Sequence, residues 1–188
     1  MPVTRLHTAR LTLEPLVVGR DASDVLGLYA DPRFSEFLAS GPLTSIEQVT
    51  AYLSGFEELP EGQGCWLARR RDDASARVIG RFSLRPWKLA VPGDPLEVGW
   101  FLDVGSWGQG FAEEAMSAVL EYAADHPRQP RVIALVRHDN VASARLARRL
   151  GGVVTGQGQW YGDDLSLRFD IPCSPRARAE SVPSTRPS

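Results

Sequence analysis

Residues 97–112, reading EVGWFLDVGSWGQGFA, constrain the fold of this chain more tightly than any other stretch. Glu97 to Asp103 has the apolar density of a strand, and Gly105, Gly108 and Gly110 make a turn. A helix follows at once: Ala112, Ala115, Met116, Val119, Leu120 and Ala123 recur at i, i+3, i+4, i+7, i+8 and i+11, and Pro127 ends the pattern. A strand that passes through glycines directly into a helix brings successive backbone N–H groups and the positive end of a helix dipole to one place. Such a place suits a phosphate or pyrophosphate. The plain alternative is a tight turn whose glycines serve packing alone.

The remaining elements fall into order around this unit. Arg10 to Val17 reads as a strand, with Leu11 and Leu13 alternating against Thr12 and Glu14. Asp21 to Leu38 reads as helical but is broken by Asp31-Pro32 into two short helices. Thr44 precedes Glu47 by three residues, the spacing of a capping box, and starts a helix to about Phe56. Cys65 to Arg70 and Val78 to Leu84 are strands. Downstream, Arg131 to Arg137 contains the run Val132-Ile133-Ala134-Leu135-Val136, as expected of a strand covered on both faces. Asp139 or Asn140 can cap the next helix, with Gly151 at the position after its end. Val153 to Thr155 and Leu165 to Ile171 close the pattern as strands. The fold class expected is α/β (α+β), with early antiparallel strands and then a strand–helix–strand–helix–strand half.

Composition narrows the function. With 188 residues, one domain is favoured, and it can bury a full core without disulfides or metal. A formal net charge of −2 gives no electrostatic footprint for nucleic acid, although a nest of backbone amides can bind an anion without basic side chains. Cys65 and Cys173 make no C-x-x-C pair, and His7, His126 and His138 are far apart, so no metal site is expected. No apolar run reaches the length of a membrane span, and Met1 to Leu6 lacks a signal-peptide core. The expected location is the cytoplasm. From Cys173 the chain turns rich in Pro, Ser and Arg, so residues 173–188 are expected to be a disordered tail.

The turn lacks the Lys-Ser or Lys-Thr of a P-loop, and Gly108-Gln109-Gly110 is followed by Glu113 where a dinucleotide fingerprint needs its last glycine. Trp107-Gly108-Gln109-Gly110-Phe111-Ala112 instead resembles the acyl-CoA signature of the GNAT acyltransferase superfamily, [Q/R]-x-x-G-x-[G/A], with Trp107 in place of Gln or Arg. The wider run through Ala115, the Asn140-x-x-Ser143 segment with Leu150-Gly151, and the opening Thr8 to Leu16 are similar to the RimJ/RimL-like branch. The resemblance implies one GNAT-type domain over residues 1–172, with a central mixed, mostly antiparallel sheet flanked by helices.

It implies site residues too. Main chain from Gln109 to Ala112, within the Trp107–Ala112 turn, would hold the CoA pyrophosphate. Phe101, Leu102 and Asp103 would offer backbone to the pantetheine arm, Asn140 would bond it, and Ser143 would lie near the thioester sulfur. The reaction implied is acetyl transfer from acetyl-CoA, without metal, to a primary amine, either a protein N-terminus or a small molecule. An α-amine, with a pKa of roughly 7.7–8.0, is partly neutral at cellular pH, whereas a lysine near ~10.4 needs a base. Glu97 is the candidate base and Tyr161 a candidate acid or substrate wall; the alternatives are a strand-end glutamate and an exposed hairpin aromatic. Assembly as a homodimer is compatible with the sequence. The rival from another class is a catalytically inactive acyl-CoA-binding regulatory module.

Overall fold

The computed structural model describes residues 3–29, 31–38, 41–87, 89–160, 162 and 164–174. The strands are β1 (Leu6–His7), β2 (Leu11–Pro15), β3 (Gly64–Arg70), β4 (Val78–Arg85), β5 (Glu97–Leu102), β6 (Arg131–Arg137), β7 (Val153–Gly158) and β8 (Ser166–Pro172). The helices are α1 (Val18–Leu28), α2 (Pro32–Ser35), α3 (Ile46–Ser54), α4 (Phe111–Asp125) and α5 (Val141–Arg149), with a 3₁₀ turn at Val104–Ser106. The strands form one sheet in the order β1-β2-β3-β4-β5-β6-β8-β7. Every neighbouring pair is antiparallel except β5 and β6. The expected α/β architecture is the one observed.

The sheet is covered on both faces, which explains why its central strands are largely apolar, with Arg81, Ser83 and Glu97 as buried polar exceptions. On one face α4 and α5 pack Phe111, Ala115, Met116, Val119 and Ala147 against Phe82, Val98, Ala134 and Phe169. On the other, α1, α2 and α3 pack Val25, Leu28, Phe34, Val49 and Leu53 against Cys65 and Leu67. The helical spacing in α4 therefore points its apolar stripe at the sheet, as the sequence demands. None of the described helices is long and apolar enough to cross a membrane.

Several local expectations shift. The first strand is shorter than Arg10 to Val17 and is preceded by β1, too short to show a period. Helix α1 begins at Val18, three residues before Asp21, whose buried carboxylate accepts the Val17 N–H at 2.8 Å. The cap of α3 is Ser45, not Thr44: its hydroxyl accepts from the Gln48 N–H, and the Gln48 side chain accepts in turn from the Thr44 N–H at 2.8 Å. Asn140 rather than Asp139 caps α5. The strand begun at Val153 runs on to Gly158, because β8 pairs with it along that length.

Candidate active site

β5 and β6 are parallel and share a single Cα pairing, Glu97 with Ile133, among the described residues. Beyond that point β5 runs on to Leu102 and β6 to Arg137 without pairing with each other, so the sheet opens into a wedge whose apex is Glu97. Alternation along β5 determines which main-chain groups line it. The Asp103 N–H is donated to Ile79 O at 2.7 Å, towards β4, and Phe101 shares that direction through its pairing with Arg81. Trp100 and Leu102 point the other way, into the wedge. Of the three residues whose backbone was expected to serve a ligand, Leu102 therefore lies on the open side, while Phe101 and Asp103 are engaged with β4.

The glycine turn closes the wide end of the wedge. Gly108 and Gly110 have φ of +72° and +80°, in the left-handed region where a side chain is strained, and Gly110 is the N-cap of α4 without a side-chain cap. The Glu114 N–H is the first to close a helical bond, to Gly110 O at 3.0 Å, so the amides of Phe111, Ala112 and Glu113 lack intrahelical acceptors. Gln109 is held within the turn, its side chain donating to Gly105 O at 2.9 Å. Trp107, 47% exposed, donates its indole N–H to Leu102 O at 2.8 Å and so pins the turn to the end of β5.

Two carboxylates stand in the first turn of α4, where an incoming anion would meet them, and both are paired with arginines. Glu113 accepts from Arg149 Nε at 2.7 Å. Glu114 accepts from Thr8 Oγ1 at 2.5 Å, from the Arg10 N–H at 2.7 Å and from Arg10 Nε at 2.6 Å. Burial opposes the charge of Glu114, but these bonds outweigh it and hold its carboxyl below the usual range. Arg10 also donates to Gln109 O at 2.9 Å and lies over the Phe111 ring, 4.4 Å from its centroid. This clamp between the β1–β2 turn and α4 was not read from the sequence, since Thr8 and Glu114 are over a hundred residues apart.

On the helix side of the wedge, Trp100 Nε1 donates to Ser143 Oγ at 3.1 Å, tying β5 to α5. The Ser143 N–H is taken by Asn140 Oδ1 at 3.0 Å, so Asn140 acts first as the helix cap. On the opposite face of β5, Glu97 is 7% exposed rather than a surface glutamate. Tyr161 lies outside the described residues. Among the described residues no group of three or more His, Cys, Asp or Glu could hold a metal.

A single α/β domain with this sheet has the fold of GNAT acetyltransferases. The family model for the acetyltransferase (GNAT) domain matches residues 10–153, and the chain belongs to that family. It is an acetyltransferase. An uncharacterized N-acetyltransferase of Bacillus subtilis, YoaA, is 29% identical over 148 residues, covering 78% of this chain and 81% of that protein. The FsC-acetyl coenzyme A-N(2)-transacetylase of Aspergillus fumigatus is 28% identical over 89% of this chain and 69% of its own length. An Agrobacterium tumefaciens acetyltransferase structure superposes with a TM-score of 0.70 at 27% identity, covering 91% and 95% of the two chains. A probable GNAT acetyltransferase from Chromobacterium violaceum reaches 0.76 at 18% identity, over 92% of this chain and 87% of that one.

Proposed function

We propose that this protein transfers the acetyl group of acetyl-CoA to a primary amine by direct attack on the thioester, as a member of the RimJ/RimL-like branch. The observation that carries the reading is the wedge between β5 and β6 that ends on the glycine turn. The amides of Phe111, Ala112 and Glu113 receive the pyrophosphate, and the main chain of Trp100 together with the Leu102 N–H offers the pantetheine arm a strand edge. Glu97, at the apex and on the face away from α4, takes a proton from the acceptor amine. As the amine nitrogen bonds the carbonyl carbon, the C–S bond breaks. Ser143, whose oxygen already accepts from Trp100, directs its own hydrogen to the departing thiolate. The names of similar proteins agree with acetyl-CoA and with amine acceptors: the fungal relative is called an acetyl coenzyme A transacetylase, and one similar structure is a spermidine N-acetyltransferase chimera.

The test is thermal unfolding with ligand. Acetyl-CoA at ~100 times its dissociation constant should stabilise the fold by roughly 2.7 kcal/mol, and ATP or NAD should have no comparable effect. Gly110→Val should remove the shift, because a β-branched residue cannot hold the left-handed conformation of the turn. A folded protein whose Tm ignores millimolar acetyl-CoA would sink the reading.

A further inference from the structure

The sheet face covered by α1 and α3 holds a cation at its centre. Arg81, in the middle of β4, is 1% exposed. Its guanidinium carbon lies 4.6 Å from the centroid of the Phe101 ring, 5.1 Å from that of Tyr52 and 5.4 Å from that of Phe56. Nη2 donates to the Tyr52 hydroxyl at 3.0 Å, and among the described residues Nε has no hydrogen-bond partner. Burial disfavours its charge most, and Tyr52, Cys65 and Tyr29 are the described groups that favour it. The three ring faces and the phenol offset part of the desolvation, yet a guanidinium with an unused donor remains short of counter-charge. It cannot relieve this by losing a proton. As a packing element it is a poor choice, since an apolar side chain of similar length would fill the space without that penalty.

Its position suggests what completes it. Arg81 is the cross-strand partner of Phe101 on β5, the strand that forms one wall of the wedge, and Arg85 is that of Glu97 on the same face. The face therefore carries two arginines along β4 and the candidate base at the apex. Nε and Nη2 form one edge of the guanidinium, the edge that grips a carboxylate through two parallel bonds. The Tyr52 hydroxyl occupies only half of that edge. Tyr52 and Phe101 are half-buried whereas Phe56 is buried, so the exposed surface of the cage belongs mainly to those two residues.

We infer that Arg81 determines acceptor specificity by receiving the carboxylate of an amino-acid-like amine, with Tyr52 and Phe101 as the walls through which it enters. This rests on the reading that the acceptor occupies the face of β5 away from α4. A polyamine, bringing more positive charge to the same arginines, is selected against.

The experiment separates this claim from catalysis. Full-length protein saturated with CoA is titrated with matched amines, lysine against cadaverine and phenylalanine against phenethylamine, and binding is read from Tm. Arg81→Met and Arg81→Lys are compared, followed by initial rates with acetyl-CoA. An amino acid should bind in preference to its decarboxylated partner. Arg81→Met should fold, weaken that binding by about 10–100-fold, the range of a charged hydrogen bond, and raise the acceptor KM while leaving the acetyl-CoA KM unchanged. Arg81→Lys, which keeps the charge but not the fork, should lose much of the preference. The proposal is overturned if the wild type does not discriminate, if cadaverine binds best, or if either variant keeps the full preference. Absence of any CoA effect on Tm would instead overturn the acetyl-CoA reading and leave the amino-acid arms interpretable.

Discussion

At the scale of single residues, the proposed chemistry depends most on the buried carboxylate at the apex of the wedge. Glu97 was legible in the sequence as the first residue of the strand before the turn. Its burial was not, because burial comes from β4 and β6 on either side. With Glu97 as the base, Glu97→Gln should lower kcat by about 10²–10⁴-fold and leave acetyl-CoA binding intact. The loss should be larger for a lysine-like amine than for an α-amine, since the former is almost wholly protonated near neutral pH. Ser143→Ala should cost less, and part of its effect should be structural, because it also removes the acceptor of the Trp100 indole. Full activity of Glu97→Gln across pH 6–9 would show that orienting an already neutral amine is enough. Arg81 illustrates the complementary case. A buried cation in the middle of β4 was there to be noticed, but its aromatic neighbours come from α3 (Tyr52), the turn just after it (Phe56) and β5 (Phe101), which no local pattern brings together.

At the scale of elements, the strand, turn and helix of residues 97–125 could be read almost completely, since each is specified by local pattern. What could not be read is how the turn is held. The Arg10–Glu114 clamp joins the start of the chain to α4 through a carboxylate whose pKa is depressed. The sign follows directly. A carboxylate held below its ordinary range stabilises the fold above its unfolded pKa of about 4.3, and that stability fades as pH falls through the lower folded value. Glu114→Gln should therefore lower stability at pH 7 by about 1–2 kcal/mol, and the gap to wild type should close as the pH drops below about 4. Unfolding measured from pH 7 to 3 checks this. A gap that stays constant with pH would assign the effect to lost packing. The capping of α3 teaches the same point at smaller range: Thr44 and Ser45 both offer hydroxyls, and only the entry path of the chain decides that Ser45 faces the Gln48 N–H.

At the scale of the whole molecule, the sheet order explains why the wedge exists. β6 is paired along its whole length with β8 on its far side and meets β5 only at Glu97, so the two halves of the sheet each satisfy their own ladders and are free to diverge. This long-range arrangement came into view in the sequence only through resemblance, since no local period encodes which strands are neighbours. The same pairing marks the last strand of the described sheet. β8 closes at Pro172, and Cys173 is still anchored: its N–H is donated to Pro130 O at 3.0 Å, its side chain packs against the main core, and burial pushes its thiol up to about 11. After it come three arginines, one glutamate and no large apolar side chain apart from Val182. Removing residues 174–188 should therefore leave Tm and acetyl-CoA affinity unchanged, whereas cutting after Ile171 should lower Tm by removing the last pairing of β8 with β6 and the packing of Cys173. Equal behaviour of the two truncations would mean that the domain closes earlier than Cys173. A clear loss on removing residues 174–188 alone would mean that the segment docks on the domain.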